Sequence, residues 1–410
     1  MSKLLVLKFG GTSVGSVARL QHVAGLIKEK VQEGYRLVVV VSAMGRFTDE
    51  ILALASRLNP SPPERERDML ITTGERISIS LLSIALDTLN IPSLSLTGSQ
   101  SGILTDETHG NARIQKIRGD RIIEGLATFP VVIVAGFQGV SPRTRDITSL
   151  GRGGSDLSAV ALSARLSAER CVVYTDVDGV MTSDPGLVPE ARLIPRLSWD
   201  AMSEMTWTGA GVLHHRAALM AARFKVVTEI RSSFFPEKSG TLIKGFDSME
   251  EAEVTACSCK RKQSLLRLTL DGSKASVLKL HTHILDWLWQ KEESPLIGQY
   301  QGDSLGNGSQ LIYLIGTELI APLEEEIASF CEKNAVKVPE FNKTSDCASV
   351  SLTGRGFRQH PGMMLKAGPV LSDCCFFSDL QDRSLSWVVP ENRAEKVLKS
   401  LHHTFLKPET

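Results

Sequence analysis

Apolar positions along the chain follow two periods, and the switches between them mark its elements. Leu4 to Leu7 is an unbroken apolar run that reads as a buried strand. After Ser16, a residue type suited to an N-cap, apolar side chains recur at Val17, Leu20, Ala24, Ile27 and Val31, the spacing of one helix face. Arg36 to Ala43, with four consecutive valines, returns to the buried-strand pattern. Val131 to Phe137 and Cys171 to Val177 repeat it between helical stretches. Up to about Lys244 this alternation predicts an α/β domain of three layers, its mostly parallel sheet covered on both faces.

From Gly245 to Gln263 the chain turns polar and charged, with Asp247-Ser248-Met249-Glu250-Glu251 and then Lys260-Arg261-Lys262, as expected of a connection between domains. The first domain is therefore placed at residues 1–255. Beyond it the pattern predicts strands at Ser264 to Leu270 and Gln310 to Ile315, with helices at Val277 to Gln290 and Pro322 to Lys333. Strands at Cys347 to Leu352 and Ser384 to Val389 and a helix over Glu391 to His403 follow. The partial recurrence fits two small α+β modules, 256–342 and 343–410.

The 410 residues exceed what one core usually holds, in keeping with several domains. Lys plus Arg balances Asp plus Glu at 46 each, without a long basic or acidic block, which argues against nucleic acid or a membrane surface as partner and for small ligands. No apolar run approaches the ~18 residues of a membrane span, and Met1-Ser2-Lys3 lacks a signal-peptide pattern, so a cytoplasmic location is expected. Seven scattered cysteines form no metal-spaced pair and read as reduced thiols. His214-His215, His281/His283 and His402-His403 lack a nearby carboxylate cluster of ligand type.

Chemistry enters at the first strand-to-helix junction. Lys8-Phe9-Gly10-Gly11-Thr12-Ser13-Val14-Gly15 puts a lysine and a flexible turn where an α/β fold offers backbone N–H groups to an anion. Gly10 and Gly15 have the outer spacing of a P-loop, but Ser16 and Val17 stand where Lys and Ser/Thr should follow. Gly151-Arg152-Gly153-Gly154-Ser155-Asp156 fails as a dinucleotide fingerprint, because Asp156 replaces the third glycine. That run should start a helix with Leu157, Val160, Ala161 and Ala164 on one face. Thr73-Gly74-Glu75 sets a carboxylate after a glycine turn, and Thr175-Asp176-Val177-Asp178-Gly179 ends a buried strand. Strand ends and helix starts of this kind build one crevice in an open α/β sheet.

These residues resemble the aspartate kinase family. Lys8 to Val14 is similar to its KFGGTSV signature, and Val134-Ala135-Gly136-Phe137 through Leu150 to Asp156 looks like its second one. Thr175 to Gly179 with Ser183-Asp184-Pro185, then Gly211-Val212-Leu213-His214 and Ser239-Gly240-Thr241-Leu242, extend the likeness in order. The tail is similar to the family's paired ACT modules, best from Trp387 to His402. The resemblance implies an amino acid kinase fold and transfer of the γ-phosphoryl group of ATP to the β-carboxylate of L-aspartate. The products would be 4-phospho-L-aspartate and ADP, at the first step of the aspartate-derived amino acid pathway. It also implies magnesium bridging the phosphates, an amino-acid effector with lysine foremost, and a homodimer or dimer of dimers.

By the same resemblance Lys8 would neutralise the transferring group while the Gly10 and Gly11 amides cradle phosphate oxygens beside Phe9. Arg152 would clamp a substrate carboxylate, Glu75 would meet the ammonium, and Ser42, Gly154 and Ser155 would complete the aspartate pocket. Asp156 would hold Lys8 or stand near magnesium, with Ser155 or Asp156 also capping the helix. Thr175, Asp176, Asp178, Met181 and Asp184 would meet the nucleotide. Met181, Gly186, His215 and Phe234-Phe235 depart from the family's usual residues, which puts the nucleotide side in more doubt than the aspartate side. A kinase of the same fold acting on glutamate or acetylglutamate, and a sensor without catalysis, are the rival readings; Lys8, Glu75, Arg152 and Asp156 together argue against the sensor.

Overall fold

The computed structural model describes residues 3–245, 253–270, 273–291, 293, 295, 297–301, 309–360 and 362–406. The chain divides into two compact units. The first holds Met1–Val180, Leu193–Thr206 and Gly211–Asp247; the second holds Met181–Arg192, Trp207–Ala210 and the chain from Ser248 on.

An eight-stranded sheet organises the first unit. Six neighbouring strands, Thr228–Ser232, Arg170–Thr175, Leu4–Phe9, Arg36–Val41, Val131–Ala135 and Ser93–Leu96, are parallel, so their carboxyl ends share one edge. The valine- and leucine-rich runs form these strands because both faces are buried, which removes the need for polar alternation. Leu5, Leu7 and Phe9 face a core shared with Leu37, Val39, Val41, Ile133 and Ala135 and with the helices Val17–Gln32 and Thr73–Asp87. Side chains alternate along a strand, so Lys8 points to the opposite face, where the helix Gly154–Leu166 packs. Ser16 caps the Val17–Gln32 helix through a 3.2 Å bond from the Arg19 amide. A small four-stranded sheet, Ile114–Ile117, Ile103–Thr105, Gln138–Val140 and Ile147–Ser149, was not foreseen from the pattern, since three of its strands have only three residues.

Taken end to end, Glu64–Asp87 has the length and apolarity of a membrane span, contrary to the expectation from apolar runs. It is two abutting helices, Glu64–Ile71 and Thr73–Asp87, and Ile79, Leu82 and Leu86 of the second are packed into the first unit's core.

The second unit is built on a six-stranded antiparallel sheet. Two long strands, Glu253–Leu270 and Glu340–Arg355, pair along most of their lengths and pass through both halves of it. Leu266, Leu268 and Leu270 belong to a core with the helices Lys274–Gln290 and Ile320–Asn334. Cys257 joins another, with Val350, Leu352 and the helices Gly362–Leu371 and Glu391–Leu406. The connection expected over Gly245 to Gln263 is thereby corrected: from Glu253 on, this stretch is strand. Lys260, Arg261 and Lys262 made it look like a linker, yet they lie where the strand shifts register between the two halves, with Lys262 at positive φ. Asp247 to Glu251 lie outside the described residues.

Leu82 is fully buried and Ile84, on the same helix, is 63% exposed. Leu82→Ala should cost roughly 2–5 kcal/mol in chemical denaturation, and Ile84→Ala less than about 0.5 kcal/mol. Equal losses would contradict the helix orientation.

Candidate active site

The parallel strands converge on one edge, and the turns that leave them are tied together there. Ser42 follows Arg36–Val41 and donates its amide to the Phe9 carbonyl at 3.2 Å, while Gly136 follows Val131–Ala135 and donates to Val41 at 3.0 Å. Ser233, after Thr228–Ser232, donates its amide to Thr175 at 2.8 Å. Its hydroxyl accepts from Ser13 Oγ at 2.8 Å and from Arg19 at 2.9 Å, joining the glycine-rich turn to a strand end 220 residues away. No local signal in the chain announces that tie.

Lys8 Nζ lies 2.7 Å from Asp156 Oδ1, both side chains little more than a tenth exposed. The contact is off the line of a directed hydrogen bond, so charge holds the pair. Asp156 reaches it from the first turn of the Gly154–Leu166 helix. That helix is capped by Gly153 and by no side chain, which corrects the expectation that Ser155 or Asp156 caps it. Gly153 adopts φ +67°, and a Cβ there would fall 2.1 Å from the Cβ of His214, so only glycine fits. Burial holds the His214 imidazole below its ordinary pKa. Ser155 is buried against Gly136, where a Cβ would come within 2.8 Å of its hydroxyl, and Gly154 packs on Leu150 and Phe137. Arg152, exposed, precedes this close-packed start by two residues.

Glu75 is buried in the first turn of Thr73–Asp87. Gly74 is helical and does not form the turn expected before Glu75; a Cβ on it would meet Ala43 Cβ at 2.6 Å and the Phe47 ring at 2.9 Å. Its bare backbone lets the helix press on the turn after Arg36–Val41 and deliver Glu75 Oε1 to the Ala43 amide at 3.0 Å. Oε2 is buried with no partner among the described residues. Burial pushes the Glu75 carboxyl up from 4.5 to about 7, with the amides of Glu75 and Ala43 opposing the rise.

On the nucleotide side the expected set is divided. Phe9 is a core residue stacked on Tyr174, ring centroids 4.7 Å apart, so its side chain is not offered to a ligand. The Gly10 amide makes a long 3.4 Å contact to the Tyr174 carbonyl. Thr175 ends its strand and donates its hydroxyl to Asp176 at 3.1 Å; Asp178 pairs with Lys238 at 3.0 Å. Met181 and Asp184 fall in the second unit, where the Asp184 carboxylate accepts from the Gly186 amide at 2.8 Å. Phe234 and Phe235 are half-exposed, with the Arg19 guanidinium 3.9 Å over the first ring and Lys238 4.6 Å over the second. Among the described residues there is no group of three or more His, Cys, Asp or Glu that could hold a metal ion.

Comparison with known proteins identifies the family. Residues 3–232 match the model of the amino acid kinase family. The chain is 40% identical to the aspartokinase of Geobacillus stearothermophilus over 405 residues, 98% of this chain and 97% of that one. Its fold is similar to that of E. coli aspartokinase III in complex with aspartate and ADP, in the R-state, at a TM-score of 0.82 and 22% identity, covering 99% of this chain and all of the other. The same enzyme with lysine and aspartate, in the T-state, superposes at a TM-score of 0.72, again at 22% identity and with 99% and 100% coverage. A buried lysine beside a glycine turn, held by a carboxylate from a facing helix start, thus sits in a chain that belongs to the aspartokinase family, and it is an ATP-dependent kinase.

Proposed function

We propose that the chain transfers the γ-phosphoryl group of ATP to the β-carboxylate of L-aspartate, giving 4-phospho-L-aspartate and ADP. The observation that carries the acceptor is Glu75, a buried carboxylate with one oxygen bonded to Ala43 and the other without a partner among the described residues. Such an oxygen suits an ammonium, which would pair with it and restore the ionised form. Arg152 is the complementary cation, with a planar fork matched to a carboxylate. An α-amino acid presents both groups.

The acceptor carboxylate, with a reference pKa of about 4, is already ionised at neutral pH, so no general base is required. The obstacle is the repulsion between two anions, and cations and N–H dipoles lower it. Lys8 supplies the charge, Asp156 fixes its ammonium, and the N-terminus of Gly154–Leu166 adds its dipole. Magnesium, when it arrives on the nucleotide, neutralises part of the phosphate charge. Ser42, Gly154 and Ser155 shape the aspartate pocket, while Gly11, Thr175, Asp176, Asp178, Met181 and Asp184 are assigned to the nucleotide. The pathway position, a cytoplasmic location, a dimeric assembly and control by lysine through the antiparallel-sheet unit belong to the same reading. The lysine complex of E. coli aspartokinase III supports the last of these.

Purified protein with ATP, magnesium and hydroxylamine should yield aspartyl hydroxamate with aspartate and little product with glutamate. Arg152→Ala should raise the KM for aspartate by about tenfold or more and leave that for ATP nearly unchanged. Turnover with glutamate alone would transfer the activity to the near rival, and binding without turnover would favour a sensor. Lysine that changes neither rate nor melting temperature would remove the effector.

Glu75 also sets a pH dependence. Its folded pKa, about 7, is above the ordinary 4.5, so its contribution to stability is complete below 4.5 and lost as pH rises through 7. Relative to Glu75→Gln, the ligand-free wild type should lose melting temperature between about pH 4.5 and 7 and no further above that range. A difference independent of pH would contradict the burial argument.

A further inference from the structure

A second buried carboxylate stands near Glu75, and neither the chemistry above nor any motif uses it. Asp68, in the helix Glu64–Ile71, is fully buried. Unlike Glu75 it is richly bonded: His109 Nδ1 lies 2.9 Å away, the Gly110 amide 3.1 Å, the Ser149 amide 3.0 Å and the Ser149 hydroxyl 2.6 Å. A buried charge on this many donors holds whatever supplies them, because losing any one leaves an unsatisfied charge in a low-dielectric surrounding.

The two ends of that network lead to the two proposed receptors for the amino acid. On one side the Asp68 carbonyl accepts from the Thr72 hydroxyl at 2.8 Å, and Thr72 immediately precedes the helix that carries Glu75. On the other, Ser149 is three residues before Arg152, and the next amide, Leu150, bonds to the Phe137 carbonyl at 2.8 Å. Gln138, beside Phe137, closes the loop by donating its side-chain amide to the Thr72 carbonyl at 3.0 Å. Asp68 and Gln138 thus brace the start of one segment against the start of the other.

We infer that Asp68 is a positioning residue that sets the separation between the ammonium receptor Glu75 and the carboxylate clamp Arg152, and through it how well the site holds the amino acid's head group. The inference rests on the aspartate kinase reading and adds to it the group that spaces its two receptors.

Asp68→Asn keeps the shape, removes the charge and sets an N–H against donors. It should raise the KM for aspartate by about tenfold or more and leave that for ATP within about twofold. Ser149→Ala, which removes only the hydroxyl donor, should move the same constants the same way by about threefold, and it decides the matter if Asp68→Asn does not fold. Unchanged KM values with kcat falling in step with the folded fraction would overturn the inference, leaving Asp68 a purely structural residue. A wild type that phosphorylates neither aspartate nor glutamate removes the aspartate kinase reading and this inference with it. An active wild type whose variants keep their acceptor constants removes this inference alone.

Discussion

The ion pair between Lys8 and Asp156 is the constraint around which the first unit is arranged. Taking two charges out of water costs several kcal/mol each even after relaxation, and attraction between them repays this only when the geometry is fixed from both sides. The strand Leu4–Phe9 fixes one side: its odd positions are buried in the core, so Lys8 is turned to the other face. The helix Gly154–Leu166 fixes the other, because Gly153 adopts a backbone conformation no larger residue could take against His214. A buried pair of this kind is a weak source of stability. In the proposed reading its use is positional: it fixes the Lys8 ammonium at the strand ends.

Two carboxylates near this edge show opposite uses of burial. Asp68 has its lone pairs filled and serves as a brace, whereas Glu75 has one oxygen filled and a pKa pushed up to about 7. The difference follows from what each faces: Asp68 meets Ser149 of the small sheet and His109 and Gly110 between two of its strands, whereas Glu75 Oε1 accepts from the Ala43 amide and Oε2 has no partner among the described residues. In the proposed reading the substrate's ammonium completes the second.

Much of this was legible in the chain. The strand-turn-helix at Leu4 to Gln32 could be read because apolar period, cap and glycine turn agreed, and Lys8, Arg152 and Asp156 stood out because their neighbours are specific in type and order. What stayed hidden depends on contacts distant in sequence. Asp68 looks like one more charge in Glu-Arg-Glu-Arg-Asp, and nothing local joins it to Ser149. Gly74 reads as a turn because the demand on it comes from Ala43 and Phe47, and Phe9 reads as part of an anion loop although its ring belongs to the core. The strand through Lys260 to Lys262 was mistaken for a linker because its charges sit at a register shift that only pairing with Glu340–Arg355 explains.

The most direct test of the central claim is a double-mutant cycle on kcat with Lys8→Ala, Asp156→Asn and the pair. Removing Lys8 should lower kcat by roughly 10²–10³, the usual loss of a group that stabilises developing charge. If Asp156 acts by holding that ammonium, its removal should cost almost nothing further once Lys8 is gone. Penalties that multiply in full would show that Asp156 works independently of Lys8, and would contradict the account.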